Sequence, residues 1–270
     1  MSLNNSTFEA MDYVNAATAL MKDKFGFTKM ALIPEDATWS EAQEEVMLKE
    51  FPKRGIEIVY HQRWPIDTTD FSPIFSKIMK TDAEFIGIVI SHNDGVQLSS
   101  QWYDKKIPLA LFGGSSYAML PNYWEMTDGK CYSQFAWKFT FGDRIAITPK
   151  TKIFSEKFTK AFGSGPMYQA YGAYDAVHIL AEAIKRAGTV DKEKVFEEVE
   201  KTSWVGPIGT IEFYGKDDRY PHDVKAVADG FEDGVQLIWA QWFKEKMECV
   251  WPDNLKTAEP FLPPWIKAKK

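Results

Sequence analysis

Four short apolar runs, KMALIP (29–34), IEIVY (56–60), FIGIVI (85–90) and PLALF (108–112), punctuate the first half of the chain. Between them lie segments with helical spacing of apolar residues. The first follows Thr38-Trp39-Ser40-Glu41, which reads as a capping box with Thr38 as cap, and runs to about Phe51. The second starts from Asp70 and places Phe71, Ile74, Phe75 and Ile78 on one face, and the third covers about Asp94 to Tyr103. The runs are continuously apolar rather than alternating. A strand of that kind is buried on both faces, so the order predicts a parallel sheet covered by helices on each side. Ligands in such sheets sit beyond the carboxyl ends of the strands. Three turns fall there: Pro34 to Trp39, Ser91 to Asp94, and Gly113 to Ser116.

The rest of the chain has a different character. Thr7 to Phe25 has helical spacing and ends at Gly26. NYWEMTDGKCYSQFAWKF (122–139) is aromatic and irregular, as in a segment crossing between domains. Three helices then follow with no strand between them. Thr148-Pro149 opens the first, through Ile153, Phe154, Phe158 and Phe162. Pro166 opens the second, with a stripe of Tyr171, Tyr174, Val177, Leu180, Ala181 and Ile184, and Asp191 caps the third. These helices need a sheet that their own segment does not contain. Short strands and turns follow, QLIWAQWF being the clearest, and the tail is rich in proline.

Composition excludes several functions. With 270 residues the chain is long enough for two cores, and 45% apolar with 26% charged residues is an ordinary globular mixture. A net charge of −6 argues against nucleic acid, whose phosphates require clustered Lys and Arg. No apolar run is long enough to span a bilayer, and no signal peptide is visible at the start. Cys131 and Cys249 lack metal spacing and read as two buried free thiols, with a single disulfide as the alternative. There is no GxGxxG after a strand, no Walker loop, no GxSxG and no HExxH. No catalytic residue, metal site or cofactor is therefore assigned. His178 reads as a structural histidine, and Asp175 as a structural hydrogen-bond partner turned away from the stripe.

The strand-end turns hold the candidate ligand residues. His92 and Asn93 follow a buried strand and precede a helix amino terminus, where backbone N–H groups favour an anion or a carbonyl. Ser91, Asn93 and Asp94 are equally suited to capping that helix. Trp39 fits either the core or a cleft wall. Gly113-Gly114-Ser115-Ser116 either lets backbone approach a ligand closely or makes a simple turn.

The tandem order of KMALIPEDATWSEAQEEVMLKEF, GIEIVYHQRWPIDTTDFSPIFSKIMKTDAEFIGIVI, YGAYDAVHILAEAIKRAG and VGPIGTIEF resembles the extracellular solute-binding proteins of branched-chain amino-acid type ABC transporters, from about residue 8 to 252. The resemblance implies the type I periplasmic binding protein fold: two α/β lobes around an interlobe cleft, closed by a hinge. It assigns 1–26 to a helix leading into the second lobe and 27–137 to most of that lobe. It places 138–222 in a helical remnant of the first lobe and 223–270 in a return to the second. The second lobe is nearly complete and the first partial, since members begin with a further segment that carries the first lobe's sheet. Solute contacts are implied at Thr38 and Trp39, at His92 and Asn93, and at Gly114 and Ser115. Amino-acid binders carry a carboxylate in the last of these turns to meet the ammonium group. Its replacement by Gly114-Ser115 favours a small acid, amide or aromatic solute stacked on Trp39. The implied partners are a small solute and the permease subunits, at the periplasm or outer surface. Exposed apolar faces on helices 148–162 and 167–187 would favour self-association. The alternatives are a ligand-sensing module with the same fold, or an enzyme on a doubly wound sheet.

Overall fold

The computed structural model describes residues 6–92, 94–138, 144–218 and 221–269, with side chains at 6–8, 94 and 229 left aside. The chain divides into two units: 1–8 with 139–237, and 9–138 with 238–270.

The larger unit contains the alternation. Helix α1 (Ser6–Ala17) passes into a wider π-helical stretch, Thr18–Lys24, and ends at Gly26 with φ +80°. Then come β1 (Lys29–Pro34), α2 (Thr38–Glu50), β2 (Glu57–His61), α3 (Ser72–Ile78), β3 (Phe85–Ile90), α4 (Asp94–Asp104) and β4 (Ala110–Ser115). A single turn, α5 (Tyr123–Met126), precedes β5 (Phe135–Lys138). After the second unit the chain returns with β8 (Ile238–Phe243) and β9 (Lys246–Trp251). One seven-stranded sheet results, in the order β2-β1-β3-β4-β5-β8-β9. Its first five strands are parallel, and β8 and β9 are antiparallel. Both β3 and β4 are buried at every position, as their unbroken apolar runs require.

Two interior clusters hold this sheet. On one, Phe112 stacks on Trp239 at 4.2 Å, and Tyr13 meets both rings edge-on while its hydroxyl donates to Phe112 O at 2.8 Å. On the other, the Ser99 hydroxyl donates to Gln134 Oε1 at 2.7 Å and lies 2.8 Å from the Tyr123 hydroxyl. Tyr123 donates in turn to Gly95 O at 3.0 Å, which pins the first turn of α4 to the core. Both cysteines are buried thiols, and neither forms a disulfide.

Glu9 and Asp12 lie close together on α1, both buried, and Gln43 Nε2 donates to Glu9 Oε2 at 2.7 Å. Burial, and secondarily the charge of Asp12, push the Glu9 carboxyl from 4.5 up to about 8. Its folded-state value is raised, so the protonated acid stabilises the fold below the unfolded value, and that contribution is lost as pH rises towards 8. The loss is on the order of a few kcal/mol. Glu9→Gln, which keeps a neutral group of the same shape, is expected to flatten the fall in urea-melt stability between pH 5 and 8.5. An unchanged pH slope would show that Glu9 does not carry it.

The smaller unit comprises α6 (Pro149–Phe162), α7 (Tyr168–Ala187), α8 (Lys192–Glu200) and the hairpin of β6 (Ser203–Gly206) with β7 (Gly209–Glu212). Thr148 and Thr151 form a capping box before α6, and Asp191 caps α8 by accepting from Lys194 N. Asp175 accepts from Trp204 Nε1 at 2.7 Å, tying α7 to β6, and burial pushes its carboxyl up to about 6. His178 stacks on the same indole.

Four expectations are corrected. Thr38 is not a cap: α2 starts from Ala37 and no side chain caps it. The buried face of α7 is Tyr171, Asp175, Ile179 and Ala183 rather than the apolar stripe, and Val177 and Leu180 are exposed. Asp175 therefore faces inward. The crossing segment contributes β5 to the sheet. Finally, 223–237 stays with the smaller unit, through the Phe213–Val224 bridge and the bond from Lys225 N to Glu212 O, and the chain returns at 238.

Candidate functional site

β1 and β3 are parallel neighbours, so their carboxyl ends lie side by side. Glu35 is the first residue beyond β1. Its N–H donates to Val89 O at 3.0 Å, which extends the β-ladder and turns the carboxyl group inward, where it is fully buried. Four donors and one imidazole nitrogen converge on it. Oε1 accepts from Trp39 Nε1 at 2.6 Å and from the Ser91 hydroxyl at 2.7 Å. Oε2 faces Ser91 N at 3.0 Å, His92 N at 3.3 Å and His92 Nδ1 at 3.1 Å.

Local structure places each partner. Trp39 lies in the first turn of α2, four residues after Glu35, and Ser40 Oγ donates back to Glu35 O at 2.7 Å. Ser91 and His92 form the link between β3 and α4. The result is a wall with a half-buried indole and an imidazole whose side chain is 43% exposed, both fastened to one buried carboxylate. A buried carboxylate is tolerated when donors satisfy it. An indole face can stack on an apolar or aromatic group, while an imidazole offers one directional polar contact. Among the described residues no group of three His, Cys, Asp or Glu is arranged to hold a metal ion.

The sequence-predicted residues separate into two sets. Trp39 and His92 come together through Glu35, and Thr38 is exposed beside Trp39. Asn93 lies outside the described residues. Gly114 and Ser115 are buried within β4, which runs through the expected turn. A Cβ on Gly114 would lie 2.7 Å from Trp137 Nε1, so its space serves the protein's own indole. The Ser115 hydroxyl accepts from Ala118 N at 3.2 Å. Glu35, the residue that organises the wall, was missed. Its one sequence signal is an acid directly after an apolar run and four residues before a tryptophan. An open groove of about 590 Å³ along the edge strand β2, between Thr28, Leu48, Pro52 and His61, shares no residue with this wall.

Comparison with known proteins identifies the family and the fold. The sequence profile described as periplasmic binding protein matches residues 4–228. A Leu/Ile/Val-binding protein homologue from Brucella suis is 25% identical over 197 residues, covering 69% of this chain and 49% of the relative. The chain thus spans about half the length of that curated relative. A branched-chain amino acid ABC transporter protein from Silicibacter pomeroyi superposes with a TM-score of 0.81 at 14% identity, over 96% of this chain and 68% of the other. A leucine-binding protein from Thermotoga maritima gives 0.73 at 19% identity, over 93% and 67%.

Proposed function

The chain belongs to the periplasmic binding protein family, and from that premise we propose that it is the solute-binding component of an ABC import system. Its fold is that of the type I members. The observation that carries the proposal is the wall at the carboxyl ends of β1 and β3, where Glu35 holds Trp39 and His92. Ligands of parallel α/β sheets bind at that end. The solute is a small amino-acid-like, amide or carboxylate molecule whose apolar part stacks on Trp39 and whose polar end meets His92. Thr38 borders the same wall. Gly114 and Ser115 are left out of the site because the protein's interior uses them.

The permease subunits of the transporter are the proposed macromolecular partners, at the periplasm or outer surface, and binding proceeds without turnover of the solute. No helix among the described residues is long and apolar enough to cross a membrane. The exposed apolar side chains of α6 and α7, with Phe162 at 69% and Val177 at 68%, favour self-association of the isolated chain. Light scattering is expected to read a mass of at least two copies, and a strict monomer would contradict this.

A thermal-shift panel of amino acids, amides, small carboxylates and aromatic acids tests the main proposal. A solute that binds the folded state raises Tm with its concentration. At least one class is expected to do so, and a panel with no effect at any concentration would count against solute binding by this chain.

A further inference from the structure

We infer that Glu35 is a positioning residue that sets solute selection: it fixes the His92 imidazole so that Nε2 faces the solute as a hydrogen-bond acceptor, for a solute end bearing N–H or O–H. This inference rests on the solute-binding reading and narrows it. Oε2 of Glu35 lies 3.1 Å from Nδ1 of His92. Four other donors converge on the same carboxyl group: the Trp39 indole N–H, the Ser91 hydroxyl, and the Ser91 and His92 backbone N–H groups. That is the setting of an acceptor-only carboxylate, so the proton between Oε2 and Nδ1 resides on the imidazole. The Ser91 hydroxyl, 3.2 Å from Nδ1, points its own hydrogen at Oε1 and is free to share that proton as a second acceptor.

Fixing the proton on Nδ1 leaves Nε2 bare in the neutral ring, on the side away from Glu35. The side chain is 43% exposed, whereas the carboxylate behind it is sealed from solvent. The ion pairs of Glu35 among the described residues include no Lys or Arg, so the wall presents an acceptor backed by a buried negative group. A solute carboxylate would face that acceptor with no hydrogen to share. An amide, hydroxyl or protonated amine would donate to it. The sequence has no carboxylate at Gly114-Ser115, which lie within β4, and the structure supplies one after β1 instead, acting through His92.

Nitrogen-15 NMR of the imidazole nitrogens tests the first half without any solute. The chain has four histidines, and His92→Gln assigns the signals of interest. At pH 8 the wild-type protein is expected to show His92 protonated on Nδ1 and bare on Nε2. In Glu35→Gln the proton should move to Nε2, as free imidazole side chains prefer, and Glu35→Asp should restore the wild-type pattern. A wild-type Nε2–H form, or both nitrogens protonated, overturns the inference, and that spectrum decides the point even if Glu35→Gln does not fold. The second half is read with matched pairs, benzamide against benzoate and 4-methylpentanamide against 4-methylpentanoate. Each amide is expected to bind on the order of tenfold more tightly than its acid. That ratio should collapse towards one in His92→Gln, which a purely structural role of the residue would not produce. Tighter binding of the acids overturns the donor-end assignment, as does silence from both pairs. Solute binding as such falls only if the whole panel is silent too.

Discussion

A chain cut after Lys256 is expected to melt about 15 °C below the intact one, a loss on the order of 5 kcal/mol. The last residues form a strap across the larger unit. Phe261 packs on Tyr132 at 5.1 Å and Phe243 at 4.8 Å. Its backbone is clamped by Gln241, which donates through Nε2 to Phe261 O at 2.6 Å and accepts from Phe261 N at 3.0 Å. Gln241 is fully buried, so removal of the strap leaves a buried amide short of partners. Further on, Trp265 covers Trp102 and Tyr103 and donates to Ile107 O at 3.1 Å, while Lys106 lies over both the Tyr103 and Trp265 rings. Ile266 is buried, and Lys269 N closes the strap on Phe25 O. A domain holds only about 5–15 kcal/mol in all, so the shortened chain would be marginal. Calorimetry of the two chains checks this, and equal melting temperatures would show that the strap is ornamental to stability.

Gly113→Ala is expected to be the most damaging single substitution of its size, costing on the order of 4 kcal/mol or preventing folding. Gly113 sits in β4 opposite Ile88 of β3, near the middle of the sheet. Its φ is +157°, and an added Cβ would lie 2.1 Å from Ile88 O and 2.7 Å from Ile88 N. These are backbone atoms of a buried strand, so relief would require the two strands to separate. Gly163→Ala provides the comparison. That glycine ends α6 at φ +75°, with no atom within 4 Å of the added Cβ. It bears only the left-handed backbone penalty, about 1–2 kcal/mol. Denaturant melts of both variants should separate them clearly, and equal losses would mean that β3 and β4 can yield.

Parallel strands buried on both faces are visible in a sequence because nothing polar interrupts them, and KMALIP and FIGIVI mark β1 and β3 to within a residue. The helices between them were equally legible from spacing. The face of α7 was not, because its inner line includes Asp175, whose burial depends on an indole N–H from β6. Hydrophobic periodicity is blind to an acid that finds its donor elsewhere in the chain. Glu35 was hidden for the same reason: four of its five contacts come from Ser91 and His92, more than fifty residues away. Conversely, Gly114 and Ser115 read as a loop because small residues often are one, while here Trp137 requires the missing side chain. The return at 238 depends on the Phe213–Val224 pairing, a contact that no local pattern announces.

The central claim is that Trp39 and His92, at the carboxyl ends of β1 and β3, meet the solute. Isothermal titration of the strongest solute from the thermal-shift panel into wild-type, Trp39→Ala and His92→Ala chains tests it most directly. The predicted result is an affinity loss on the order of tenfold or more in each variant, with cooperative melts retained. Affinity unchanged in both variants would contradict the claim and place the solute elsewhere on the molecule.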